Sequence, residues 1–155
     1  MPPKAFKFSF CFNPGMLRIY LDSNVFIAYI KSDMGKPYKL MYRDVEEFFR
    51  QCPQNYAIVL SDSAFEEIKK YAYYSEEAVM EFFKGLEIKT EVVAVGKNDA
   101  RLTSELCKKG MHEADALHAA LAINSKCDIL LTFNKKHFRI VQNFIAVKEP
   151  NELME

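Results

Sequence analysis

The sequence predicts an α/β fold, a three-layer α/β/α sandwich around a parallel sheet of about five strands. Three observations carry this. The strand-like runs, such as Ala57-Ile58-Val59-Leu60, are apolar throughout, the pattern of strands covered on both faces. Helical stretches separate them, as right-handed crossovers between parallel strands require. A chain of 155 residues, half hydrophobic and 14% aromatic, suits one domain with one core.

Taken in order, residues 6 to 12 place Phe6, Phe8, Phe10 and Phe12 at period 2, which is strand-like. Two readings of residues 1–15 stand side by side: an added edge strand or aromatic arm, or a start-site artefact with Met16 as the natural start. Residues 16–155 form the single domain. Leu17-Arg18-Ile19-Tyr20-Leu21 reads as the first strand, ended by Asp22-Ser23-Asn24, and Val25 to Ile30 begins a helix. A helix from near Pro37 to about Gln51 carries Leu40, Val45, Phe48 and Phe49 on its inner face and is expected to stop at Pro53. After the second strand, Ser61 to Tyr74 reads as a capped helix and Glu76 to Leu86 as another. Thr90 to Val95 is the third strand. Asn98 to Lys109 is helical, with Gly110 as its stop. Glu113 to Ser125 is an Ala/Leu-rich helix, Asp128 to Thr132 the fourth strand, Asn134 to Val141 a short helix or turn, and Phe144 to Val147 an edge strand.

Composition excludes several classes. No run approaches the roughly 20 apolar residues of a membrane helix. Cys11, Cys52, Cys107 and Cys127 are scattered, with no C-x-x-C pair, so neither a thiolate zinc site nor a disulfide framework is indicated; reduced thiols in a cytoplasmic protein are expected. With 21 Lys+Arg against 21 Asp+Glu, a general basic field for nucleic acid is absent, although a local basic face is compatible with the balance.

Ligands of open parallel sheets bind outside the carboxyl ends of the strands, so the polar residues there matter most. Asp22 follows strand one directly. Read alone it is first an N-cap for the next helix, with a functional acid as the alternative. Glu66 and Glu67 lie early in the helix after strand two, where the helix dipole alone would accept them. They point about 100° apart, and Glu67, preceding Ile68, is the one expected to face the strand ends. Asp115 sits in the first turn of the most apolar helix, at a packed edge where a carboxylate needs a partner. His118, three residues on, is placed to hydrogen-bond to it and reads as a core histidine before it reads as a metal ligand. Asn134 ends the fourth strand. Asp128 lies at the wrong end of the sheet and reads as structural or solvated.

Asp22, Glu67, Asp115 and Asn134 thus map to one edge of one parallel sheet. Three carboxylates there repel unless a cation joins them, and oxygen-only ligands favour Mg²⁺ or Mn²⁺. Such an ion acidifies water and stabilises charge on a phosphodiester, so the chemistry implied is metal-dependent hydrolysis of phosphate esters.

Four runs in order carry a family resemblance: Arg18 to Phe26; Ser61 to Ile68 with its acid at Glu67; Asp115-Ala116-Leu117-His118-Ala119-Ala120; and Ile129 to Asn134. Val147-Lys148-Glu149-Pro150 matches the usual family ending. Together, over about residues 17 to 153, the chain resembles the PIN-domain ribonucleases, and among them the VapC-like toxins of toxin–antitoxin pairs. The resemblance implies a PIN-like fold, a homodimer, Mg²⁺ or Mn²⁺, endonuclease action on RNA and a small antitoxin partner. It makes Asp22, Glu67 and Asp115 the metal-binding acids, Asn24 the residue orienting the first of them, and Thr132 the hydroxyl of the last motif. Asn134 departs from the pattern, where Asp is frequent, and puts a second metal in doubt.

Lys135, Lys136 and Arg139 follow the site. They read either as contacts to the RNA backbone or as a solvated face. Tyr71, Tyr73 and Tyr74 are expected in core or dimer packing before base stacking. Two rival readings remain. One is a PIN-like module that binds RNA or protein without catalysis, suggested by Asn134. The other is a phosphohydrolase with Asp22 as nucleophile, for which Asn24 stands where that class carries Asp.

Overall fold

A computed structural model describes residues 15–31 and 38–153, with the backbone alone at 38–40. The aromatic alternation at 6 to 12, the helix start near Pro37 and the side chain of Leu40 lie outside the described residues.

Five strands, β1 (Leu17–Leu21), β2 (Tyr56–Ser61), β3 (Thr90–Val93), β4 (Ile129–Leu131) and β5 (Ala146–Lys148), form one sheet in the order β3-β2-β1-β4-β5. Every pairing is parallel. The chain builds outward from β1 to β3, then returns to place β4 on the other side of β1. That reversal opens a crevice at the carboxyl ends of β1 and β4.

The helices are α1 (Ser23–Ile30), α2 (Tyr38–Asn55), α3 (Asp62–Ala72), α4 (Glu76–Gly85), α5 (Lys97–Lys108) and α6 (Glu113–Asn124). Two 3₁₀ segments, Lys135–Val141 and Pro150–Leu153, follow β4 and β5. No described helix is long and apolar enough to cross a membrane.

Period-2 alternation sends each strand's side chains to both layers. Ile19, Leu21, Ile58, Leu60, Ile129 and Leu131 pack with α1 to α4 around an aromatic cluster in which Phe26, Tyr29, Phe49, Phe82 and Phe83 meet mostly edge-to-face. Tyr20, Val59, Leu130 and Val147 face the other way, against α5 and α6. The three-layer prediction holds.

Local signals set most boundaries. Ser61 caps α3 by accepting the Ala64 N–H, and Ser75 caps α4 by accepting that of Ala78, each at 3.1 Å. Gly110, at φ 110°, ends α5, and the Met111 N–H returns to the Leu106 carbonyl at 3.2 Å. Pro53 does not stop α2, which runs on to Asn55. In the last turn a proline forfeits one backbone hydrogen bond, and the carbonyls beyond it are unpartnered anyway. β3 ends at Val93 rather than Val95, and β5 starts at Ala146.

At the amino end of the sheet, Arg18 ties the layers together. Its guanidinium meets Glu91 at 2.5 Å and donates to the Ser125 carbonyl, while its backbone N–H donates to Asp128 at 2.8 Å. Asp128 is therefore structural. Ala57, the register partner of Arg18 on the intervening strand, carries only a methyl and leaves the path to β3 open. Glu91 is buried, so removing its partner strands a charge. Arg18→Leu should cost about 3 kcal/mol in urea denaturation, and Arg18→Leu with Glu91→Leu should recover most of it.

Candidate metal and phosphodiester site

Asp22 stands where β1 ends, and its backbone N–H closes the β1–β4 ladder on the Leu131 carbonyl at 3.0 Å. It occupies the N-cap position of α1 in an extended conformation, yet its side chain makes no cap hydrogen bond. The capping role that the isolated sequence favours is not the one the carboxylate plays. It turns into the crevice, 5% exposed, and accepts from the Thr132 hydroxyl at 2.8 Å.

Thr132 is itself fixed. Its Oγ1 accepts from Asn24 Nδ2 at 3.2 Å and from the Asn134 backbone N–H at 2.9 Å, leaving its proton for Asp22. Asn24 also accepts the Phe133 N–H through Oδ1 at 3.2 Å. This pins the first turn of α1 to the chain leaving β4.

Glu67 comes from the second turn of α3, half-buried, while Glu66 is exposed. Glu67 Oε1 accepts from Ser23 Oγ and from His118 Nε2, the latter at 3.0 Å. Ligand atoms of Asp22, Glu67 and His118 all lie within 4.8 Å of one another.

Asp115, in the first turn of α6, is not among those three. Its side chain is 21% exposed and lies 3.5 Å from His137 Nδ1. The expected Asp115–His118 hydrogen bond gives way to the one with Glu67. Asp115 is still close enough for its charge to bear on Asp22 and on His118.

Asn134 is exposed, and it lines an open cleft of about 480 Å³ with Phe133, Lys136 and Arg139. Lys135 borders the same cleft but is held by both Glu152 oxygens, at 2.8 and 2.9 Å. Tyr74 packs edge-on against Phe26, whereas Tyr71 and Tyr73 are exposed. Ser23, Tyr20 and Ser61 are site members to which the motif runs containing them assign no role. The available signal was positional: Tyr20 and Asp22 fall on the same side of β1, and Ser23 follows the acid directly.

The charges are strongly coupled. Burial pushes the Asp22 carboxyl up, with help from Glu67 and Asp115; His118 and the Thr132 hydroxyl oppose this without cancelling it. Burial would also raise Glu67, but His118 and Ser23 outweigh it and hold Glu67 below its ordinary range. Burial would lower His118, but the Glu67 hydrogen bond and the charges of Asp22, Glu67 and Asp115 raise it overall. Asp22 is thus a carboxylate that the fold alone does not satisfy. The carboxylate oxygens of Asp22 and Glu67 would suit a hard divalent ion.

The signs predict how the metal-free protein responds to pH. Glu67, lowered, contributes stability that is present above about 4.5 and lost as pH falls through its folded value. His118, raised, contributes stability that is complete below about 6.5 and lost as pH rises through its folded value. Asp22, raised, adds a penalty that grows as pH climbs above its ordinary value of 3.8. In chelator, thermal unfolding should therefore show stability declining above about pH 6.5, and His118→Gln, which cannot titrate, should remove that part of the decline.

The comparisons with known proteins bear on the fold and the family. The chain is similar in fold to VapBC from Salmonella typhimurium bound to DNA, at 24% identity and TM-score 0.60, over 87% of this chain and 99% of that one. It is similar to VapBC-1 from nontypeable Haemophilus influenzae, at 17% identity and TM-score 0.58, over 86% and 98%. It is similar to VapC20 of Mycobacterium tuberculosis, described as a sarcin–ricin loop cleaving toxin, at 14% identity and TM-score 0.57, over 83% and 98%. No curated protein matches the chain. The PIN domain family model matches residues 19–143, from the middle of β1 to beyond the first 3₁₀ segment, and the chain belongs to the PIN domain family.

Proposed function

We propose that the chain is a metal-dependent endoribonuclease that hydrolyses RNA phosphodiester bonds as the toxin of a toxin–antitoxin pair. The observation that carries this reading is the buried carboxylate of Asp22, raised by its own surroundings and with Glu67 beside it at the sheet's switch point. Asp22 and Glu67 would hold Mg²⁺ or Mn²⁺, with Asp115 joining from α6. When bound, the ion supplies Lewis acidity toward water and phosphate.

The chain's own residues do the rest. Thr132 and Asn24 keep Asp22 in one orientation. Asn134, uncharged, offers an amide at the cleft for a water or a phosphate oxygen. Lys136 and Arg139, both exposed, would grip the backbone by charge. Lys135 would add less, since Glu152 already engages it.

RNA is favoured as substrate, and an antitoxin as partner, because the similar structures are described as VapBC and toxin–antitoxin complexes and one as a toxin cleaving the sarcin–ricin loop. The proposed working form is a cytoplasmic homodimer restrained by a small antitoxin. Asn134 supports a second reading, a binding module without catalysis. Calorimetry showing no Mg²⁺ or Mn²⁺ uptake at millimolar concentration would favour it.

Two outcomes test the proposal. With Mn²⁺ and a structured RNA, Asp22→Asn should cut at least about 100-fold more slowly than the wild type; equal cleavage by both would sink the mechanism. Separately, Lys136→Ala and Arg139→Ala should each weaken RNA binding and reduce the log–log salt slope by about 0.7, as for one phosphate contact on a single strand, with Lys135→Ala changing it less.

A further inference from the structure

Behind the acids lies an unbroken chain of hydrogen bonds, buried up to its last link, that starts and finishes on the same helix. Ser61 Oγ accepts the Ala64 N–H at the start of α3 and lies 2.7 Å from the Tyr20 hydroxyl. The Tyr20 hydroxyl is 2.7 Å from His118 Nδ1, and His118 Nε2 is 3.0 Å from Glu67 Oε1, in the next turn of α3. Ser61, Tyr20 and His118 are 0%, 0% and 2% exposed, so water does not replace these partners.

The ends of the chain settle its proton order. An ionised carboxylate only accepts, so Nε2 of His118 carries a proton and gives it to Glu67. In the neutral ring Nδ1 is then the acceptor of a hydrogen bond donated by the Tyr20 hydroxyl. The Tyr20 oxygen in turn accepts from Ser61, whose remaining lone pair receives the Ala64 amide. Each group is used once in each role. In the protonated ring both nitrogens donate, Tyr20 donates to Ser61, and Nε2–H still points at Glu67. In neither state does Nε2 present a lone pair toward the crevice, despite its nearness to Asp22 Oδ1 at 4.0 Å.

We propose that His118 is a positioning residue: it holds the Glu67 carboxylate in the orientation that receives the metal, and Tyr20 and Ser61 hold His118, with none of the three ligating the ion. This rests on the reading of Asp22 and Glu67 as the metal site. A loose Glu67, free to swing on three torsions, would bind the ion at an entropic cost that the fixed one avoids. Ser23, donating to the same oxygen, fixes Glu67 from α1.

The test is Mn²⁺ affinity, measured by calorimetry, together with pulsed paramagnetic resonance of the bound ion. Wild type should bind Mn²⁺ and show no directly coordinated nitrogen. His118→Leu should bind 10- to 100-fold more weakly, the range for losing a group that orients a ligand. His118→Gln, whose side-chain N–H can still reach Glu67, should stay within about threefold of wild type. Tyr20→Phe, which keeps the ring and removes only the hydroxyl, should weaken binding several-fold, and it keeps the inference open to refutation if His118→Leu does not fold. A coordinated nitrogen in the wild type overturns the proposal by making His118 a ligand. Unchanged affinity in His118→Leu, or an equal loss in His118→Gln, overturns it too. Absence of Mn²⁺ binding in the wild type would instead refute the metal site itself.

Discussion

Burial of the Asp22 carboxylate is the constraint around which the rest of the structure is arranged. Taking such a group out of water costs several kcal/mol unless partners replace the solvent. The Thr132 hydroxyl is one partner, and His118 is another at 4.0 Å. Position adds a third, because Asp22 sits at the amino end of α1, where the unpaired N–H groups favour negative charge. Against these act Glu67 and Asp115. Two like charges at the spacing of Asp22 and Glu67, within 4.8 Å, repel by about 3–4 kcal/mol at an effective dielectric near 20. The net effect disfavours the ionised form. A fold that places a charge at the end of its central strand with acids beside it gives up stability there that an external cation would restore.

The sheet order explains why these groups meet. Because β1 is central, the layers on both faces reach its carboxyl end. Glu67 rides on α3, whose Phe65 and Ile68 pack on one face; His118 and Asp115 ride on α6, whose Ala116, Ala119 and Leu121 pack on the other. Neither layer alone contains the site. The hydrogen bond between His118 and Glu67 bridges the two layers over the strand end, so the acid cluster and the packing of the sandwich are one structure. The Arg18–Glu91 pair does the same at the opposite end of the sheet.

Much of this was legible in the sequence, and for identifiable reasons. Strands buried on both faces read as apolar runs, Ser61 as the start of a capped helix and Gly110 as a helix stop, because their roles are local. Glu67 was separable from Glu66 by the helical angle between them together with the apolar Ile68 that follows it. What failed was whatever depended on the tilt of one element against another. The i+3 spacing placed His118 near Asp115, but the tertiary arrangement put Tyr20 on one ring nitrogen and Glu67 on the other. Lys135, Lys136 and Arg139 looked equivalent, until the chain's return through Glu152 engaged the first of them. Tyr20 read only as a member of the first strand; its ring is buried and its hydroxyl bonds to Ser61 and His118, and nothing in a linear sequence distinguishes a tyrosine chosen for its ring from one chosen for its oxygen.

Asn134 sharpens the charge argument. With an amide there, the acids whose charges bear on one another around the end of β1 are Asp22, Glu67 and Asp115, with His118 buried among them, while Glu149 lines the cleft beside Asn134. A fourth acid would raise the repulsion on Asp22 further without adding a donor inside the fold. The cluster as it stands is held together in the metal-free protein by His118, Thr132 and Ser23. The balance of 21 acids and 21 bases over the whole chain hides this local excess of negative charge. A phosphate approaching it is repelled by the acids and attracted by Lys136 and Arg139 at the cleft beside them. Without a cation the two effects oppose each other within one short segment of substrate. A cation bound among the acids would weaken that repulsion, so metal and anion binding at this edge should be coupled through charge before any bond is broken.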